Sequence, residues 1–178
     1  LQHTSAPLVY RFLYRKTYPL AGRVVCNSEY MRRDLVERFS LRPGKIQVIS
    51  NPVDTVGIEE EIKKADNPYD QRNRNLVSVG RLHYQKGFNL LLRAFEKAAQ
   101  RDPRLRLTLV GDGSELERLK KLVGRLRVEE KVMFAGHQDN PFPYMHYADL
   151  FISSSRWEGS PNTVLESLAC GTPVLAFD

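Results

Sequence analysis

Two cations and two carboxylates carry most of the chemistry this sequence offers. Arg81 and Lys86 fall in VGRLHYQKG (79–87), a short loop between a β-branched apolar run and an amphipathic run with helical spacing. A helix starting there presents unpaired N–H groups and a positive dipole end. Two cations beside it suit a diphosphate, arginine as a fork and lysine as a point charge. The alternative is a pair of solvated loop cations. Glu158 and Glu166 fall in WEGSPNTVLES (157–167). Eight positions along a helix leave two side chains pointing about 80° apart, not in one direction. Both reach one ligand only if Glu158 lies in the loop ahead of the helix. Carboxylates accept from vicinal hydroxyls such as those of ribose or a sugar. Exposed backbone N–H groups near Ser160 to Thr163 would hold phosphate oxygens. The alternative is one carboxylate complementing the helix dipole and one solvated on the helix.

Other groups offer less. VGDGSEL (110–116) is not a G-x-G-x-x-G fingerprint, because Leu116 stands where its last glycine belongs, so it reads as a structural turn. His83, His137 and His146 lack a metal-ligand spacing. Ser153–Ser155 have no evident histidine base, so a nucleophilic triad has no support. Trp157 reads as a packing residue. Cys26 and Cys170 sit in apolar runs and read as reduced, buried small side chains.

The elements that must position these residues alternate. Strands are expected at 76–80, 105–113, 131–136, 148–155 and 172–178, and helices at 87–102, 114–126 and 160–171, with a short helix or turn at 141–147. Ser114 with Glu117 forms a capping-box pattern. Ser160, Pro161 and Gly171 supply an N-cap, a first-turn proline and a stop. Alternation of this kind predicts a Rossmann-like α/β fold, a parallel sheet with helices on both faces. Ligands bind such sheets beyond the carboxyl ends of the strands, which points to the loops after Gly80, Val110, Gly136 and Ser155. Ahead of this region, 51–74 is polar with Pro, Gly and Asn breakers and reads as a linker. Residues 1–50 read as helix 7–18, strand 23–28, helix 29–40 and strand 45–50. The end at Asp178, on a strand without its following helix, reads as a truncation.

The 178 residues are 42% hydrophobic and 27% charged, enough apolar content to bury a core. The net charge of +6 is uneven. Residues 1–50 carry nine basic and three acidic residues, and 51–178 carry 18 of each. A nucleic-acid binder should concentrate basic residues on its working domain, so nucleic acid is not an expected partner. The basic segment suits an anionic surface or substrate. No stretch reads as a membrane span or a signal peptide.

VISNPVD (48–54), VSVGRLHYQKG (77–87), LTLVGDGSELERL (107–119), VMFAGH (132–137) and YADLFISSSRWEGSPNTVLESLACGTPVLAFD (147–178) occur in a fixed order. Together they resemble the glycosyltransferase group 1 domain, the C-terminal half of glycosyltransferase family 4 enzymes of the GT-B fold. The resemblance implies closing elements of an acceptor-binding domain in 1–50, a linker in 51–74, and an incomplete sugar-nucleotide-binding domain in 75–178. It implies a retaining glycosyltransferase of the hexosyltransferase type, inactive as this fragment alone. The enzyme would move a sugar from a nucleotide-sugar donor to a glycan or lipid-linked acceptor. Arg81 and Lys86 would neutralise the departing diphosphate, and Glu158 would contact the donor sugar. Glu166 would bind the ribose. Gly136 and His137 would read the base, Gly80 would admit the phosphates, and Asn162, Thr163 and Leu165 would line the diphosphate site. No metal and no cofactor are expected, because the two cations supply the positive charge. Pro161-Asn162 after Glu158-Gly159 looks like members using UDP-sugars. Residues 8–18 would rest on a bilayer, or pack as an amphipathic helix on their own domain. The expected compartment is the cytoplasm, with peripheral contact on the inner face of the membrane. Alternatives are a non-catalytic nucleotide-sugar-binding module and a GT-B-fold sugar-nucleotide epimerase.

Overall fold

A computed structural model describes residues 8–177. The chain divides into two units, one of Leu1–Pro52 with Trp157–Pro161 and one of Val53–Arg156 with Asn162–Asp178. Pro7 of the first expected helix and Asp178 of the last expected strand lie outside the described residues.

The first unit contains α1 (Leu8–Thr17), β1 (Val24–Cys26), α2 (Glu29–Phe39) and β2 (Ile46–Val48). The two strands pair in parallel, with Cys26 opposite Val48. α2 starts where the Ser28 side chain accepts the Met31 N–H, and it stops at Ser40 in the left-handed region, φ 55. Its buried face sets Leu35 and Phe39 against Cys26, Leu41 and Ile46. Tyr14 and Tyr18 stack at 5.1 Å and both meet the Phe39 ring.

The second unit is built on five parallel strands in the order β5-β4-β3-β6-β7. These are β3 (Arg74–Val79), β4 (Leu105–Val110), β5 (Val132–Gly136), β6 (Leu150–Ser153) and β7 (Val174–Ala176). Side-chain alternation along the strands divides the core into two layers. Leu76, Leu107, Leu109 and Ile152 face α4 (Phe88–Arg101) and α5 (Leu116–Leu126), where Leu92, Phe95 and Leu119 are buried. Their neighbours Val77, Val110 and Phe151 face the other way, toward α3 (Thr55–Lys63), α6 (Phe142–His146) and α7 (Asn162–Ala169). Each fully buried Leu or Phe contributes about 1.5–3 kcal/mol relative to exposure. The chain runs outward from β3 through β4 to β5, then crosses back to place β6 on the other side of β3. The topological switch point therefore lies between β3 and β6, and open sheets of this kind bind ligands there, beyond the strand ends. Buried Ser78 ties these strands together, its hydroxyl donating to the Ile152 carbonyl at 2.6 Å.

Three expectations are corrected. The stretch 51–74 contains α3, capped by Asp54, which accepts the Gly57 N–H at 2.9 Å. Ile58 on that helix is buried in the core of the second unit, and the Tyr69 hydroxyl donates to the Tyr144 carbonyl at 2.8 Å. The breakers masked a helix that packing stabilises. The capping box at Ser114 does not form: α5 starts at Leu116, and Glu115 precedes it without a side-chain cap. The Glu115 N–H is instead taken by the Leu82 carbonyl at 2.9 Å, so tertiary pairing replaced the local motif. α7 begins at Asn162, past Pro161. Among the described residues no helix is long and apolar enough to cross a membrane.

Candidate functional site

The loop after β3 extends the sheet's hydrogen bonding past the strand ends. Gly80 N–H donates to Val110 O at 2.9 Å, and Leu82 N–H to Asp112 O at 2.8 Å. Leu82 is fully buried and anchors the loop. Gly111 N–H donates to Gly136 O at 2.7 Å, which joins the third strand end to the same array. VGDG therefore braces its neighbours, as its reading as a structural turn expects.

On that frame Arg81 is exposed beside Gly80, and Lys86 is half-buried at the end of a one-turn 3₁₀ helix, Tyr84–Lys86. The Lys86 stem crosses Gly80: a Cβ added at Gly80 would lie 3.2 Å from Lys86 Cε and 3.6 Å from Nζ. Both cations thus stand at the carboxyl end of β3, beside the switch point. The turn hands over to α4 through Gly87, at φ 65 and ψ 19, whose absent Cβ leaves room for the Ser154 carbonyl. The Ser154 hydroxyl donates to Lys86 O at 2.8 Å. Gly136, at φ 69, ends β5, and exposed His137 lies 3.4 Å from Asp139.

α7 supplies the remaining groups of the second unit. Asn162 is exposed on its first turn, and Thr163, Leu165 and Glu166 are half-buried. Burial raises the Glu166 carboxyl above the ordinary glutamate range. One turn on, burial and then the Glu166 charge push the Cys170 thiol up to about 11. Cys170 and Cys26 are both free and buried. Ser167 is fully buried, and its hydroxyl has no partner among the described residues.

Glu158 belongs to the first unit. Its segment rests on the residues that follow β1 and β2. A Cβ at Gly159 would meet Met31 Cε at 3.0 Å and Asn27 Oδ1 at 3.3 Å, and Asn51 Nδ2 donates to Ser160 O at 3.2 Å. The second unit thus holds Gly80, Arg81, Lys86, Gly136, His137, Asn162, Thr163, Leu165 and Glu166, and the first holds Glu158. Sequence reasoning missed Ser154 and Arg156, whose backbone and side chains grip the Lys86 turn. Their only signal was a polar run where a strand meets the WEGSP segment.

A model of the family described as glycosyl transferases group 1 matches residues 59–178, and one described as glycosyltransferase family 4 matches residues 2–56. A Campylobacter jejuni protein named N-acetylgalactosamine-N,N'-diacetylbacillosaminyl-diphospho-undecaprenol 4-alpha-N-acetylgalactosaminyltransferase is 35% identical over 96% of this chain and 45% of its own length. Alpha-monoglucosyldiacylglycerol synthase of Streptococcus pneumoniae is 31% identical over 96% of this chain and 40% of its own. The chain thus spans less than half the length of these relatives. Among solved structures, Anabaena Alr3699/HepE in complex with UDP superposes with a TM-score of 0.82 at 24% identity, over 98% of this chain and 50% of that one. The same protein in complex with UDP-glucose gives a TM-score of 0.73 at 25% identity, over 88% and 44%. These matches run through the strand ends and α7 described above, and they make this chain a member of the glycosyl transferases group 1 family, with the fold of GT-B glycosyltransferases.

Proposed function

We propose that the chain is the donor-binding part of a retaining glycosyltransferase that takes a UDP-sugar and glycosylates a glycan or lipid-linked acceptor. The observation that carries this reading is the pair Arg81 and Lys86 at the carboxyl end of β3, beside the switch point of a parallel sheet. When the glycosidic bond to the donor phosphate breaks, charge develops on the diphosphate. Fixed cations there stabilise the transition state more than the ground state. Glu166 accepts from the ribose hydroxyls as a carboxylate. The backbone at Gly136 and His137 meets the base, and Asn162, Thr163 and Leu165 line the diphosphate. Glu158 is assigned to the donor sugar on the resemblance alone. In the front-face route the acceptor oxygen bonds to the anomeric carbon on the face that the phosphate leaves, and that phosphate takes the acceptor's proton, so the configuration is retained without a protein nucleophile. No metal and no cofactor take part in this scheme.

UDP is favoured because the Anabaena neighbour binds UDP-glucose and because Pro161-Asn162 follows Glu158-Gly159. A lipid-linked acceptor is favoured by the Campylobacter relative, whose name specifies a diphospho-undecaprenol substrate. Peripheral contact with the inner face of the membrane falls to α1, where Phe12 and Leu13 are exposed beside Arg15 and Lys16. Flotation of full-length protein with anionic vesicles tests this contact, and equal flotation of a Phe12→Ser/Leu13→Ser variant would remove it.

The central test is a calorimetric titration of the full-length protein with UDP-, GDP- and ADP-sugars. Saturable binding of the UDP class is expected. Arg81→Ala and Lys86→Ala each remove charge-assisted bonds of about 1.5–3 kcal/mol, a loss of about 10–150-fold. A folded protein that binds none of the three classes refutes the donor-site reading. An inverted anomer in the product, seen by NMR, refutes retention.

A further inference from the structure

The turn that carries Lys86 is gripped by two residues that follow β6, Ser154 and Arg156. Its three successive carbonyls each accept one hydrogen bond from them. Arg156 Nε donates to Tyr84 O at 3.2 Å, Arg156 N–H to Gln85 O at 2.8 Å, and the Ser154 hydroxyl to Lys86 O at 2.8 Å. The Arg156 guanidinium also lies 4.3 Å from the centre of the Tyr84 ring. Its Nη2 donates to Asn89 Oδ1, on the first turn of α4, at 3.1 Å. One side chain therefore spans the turn from its first residue to the helix behind it.

A lysine brings a flexible four-carbon stem, and ordering such a chain costs up to about 2 kcal/mol of rotamer entropy. Holding its backbone in place removes the separate backbone cost, about 1–2 kcal/mol per residue, from ligand binding and leaves only the stem, which lies across Gly80, to order. Arginine suits the holding role because its planar fork donates in two directions while its face covers a ring. Lysine has one point charge and cannot do both. The fork is directed at a carbonyl and an amide oxygen, and these neutral partners occupy two of its donors.

We infer that Arg156 is a positioning residue that presents Lys86 to the donor diphosphate by clamping the Tyr84–Lys86 turn onto the end of β6. This rests on the donor-site reading above. The interaction acts through Lys86, so the two residues must behave as one unit rather than as independent charges.

The test is a double-mutant cycle, read by calorimetric titration of the full-length protein with UDP and with UMP, and with thermal unfolding of every variant. UDP affinity is expected to fall about 10-fold in Arg156→Ala and by about as much in Arg156→Lys, and about 3-fold in Asn89→Ala, with UMP affinity held within about 2-fold. On a Lys86→Ala background, Arg156→Ala is expected to add nothing further. Wild-type affinity in Arg156→Lys would overturn the inference, since charge alone would then suffice. Fully additive losses in Arg156→Ala/Lys86→Ala would also overturn it. If Arg156→Ala does not fold, Arg156→Lys and Asn89→Ala carry the same test. A wild type that binds no UDP refutes the donor-site reading and this inference with it. A wild type that binds UDP, with Arg156→Ala unchanged, refutes the inference alone.

Discussion

Gly87→Ala and Gly136→Ala place the same methyl group in the same backbone region with different surroundings. Gly87 has φ 65, and an added Cβ would lie 2.0 Å from the Ser154 carbonyl oxygen. Gly136 has φ 69, and an added Cβ would meet nothing within 4 Å. Left-handed backbone costs an L-residue about 1–2 kcal/mol, and both variants carry that cost. Only Gly87→Ala also drives an atom into rigid backbone, a cost comparable to overpacking at about 1–3 kcal/mol. The totals are about 2–5 kcal/mol for Gly87→Ala and about 1–2 for Gly136→Ala. For a chain of this size each kcal/mol lowers Tm by about 2–4 °C. Calorimetry should therefore give a drop of about 4–20 °C for Gly87→Ala and about 2–8 °C for Gly136→Ala. Because Ser154 also bonds to Lys86, Gly87→Ala should weaken UDP binding in the protein that remains folded. Equal Tm losses in the two variants would refute the packing argument, and an unperturbed Gly87→Ala would refute the placement of the turn against β6.

Glu166→Gln should weaken UDP binding about 10-fold or more, by the loss of charge-assisted bonds, yet leave binding of a 2′,3′-dideoxy analogue unchanged. The same variant should be more stable than the parent at neutral pH. The folded-state pKa of Glu166 is raised by burial, so its charge opposes folding as pH rises through and above the glutamate range, and this opposition vanishes in acid. Tm profiles from about pH 4 to pH 8 that run parallel for the two proteins would contradict this. Cys170, with its thiol pushed up to about 11, should react with iodoacetamide at pH 8 about 100-fold more slowly than an ordinary cysteine, on ionisation alone; labelling at the unfolded rate would refute its burial. Phe95→Ala, at a site 2% exposed between α4 and the sheet, should cost about 3–5 kcal/mol, and a denaturant midpoint within error of the parent would refute that placement.

Periodicity placed the strands and helices of the second unit, because alternation at period two and spacing near 3.6 are direct consequences of burial on one face. It also brought Arg81 and Lys86 to a strand end, since a short loop after a buried strand has no other place to be. Composition failed at 51–74, where Pro, Gly and Asn outweighed the few apolar residues of α3. Ile58 earns its burial from α6, α7 and the sheet, none of which is near it in sequence. Local pattern failed again at Ser114, because the Glu115 N–H found the Leu82 carbonyl. The allocation of Glu158 and Glu166 to different units is invisible in a motif that reads as one run of residues. The grip of Ser154 and Arg156 on the Lys86 turn joins positions about 70 residues apart. Sequence spacing reports which groups share a face of one element, whereas hydrogen bonds between loops of different elements depend on where the sheet sets those loops.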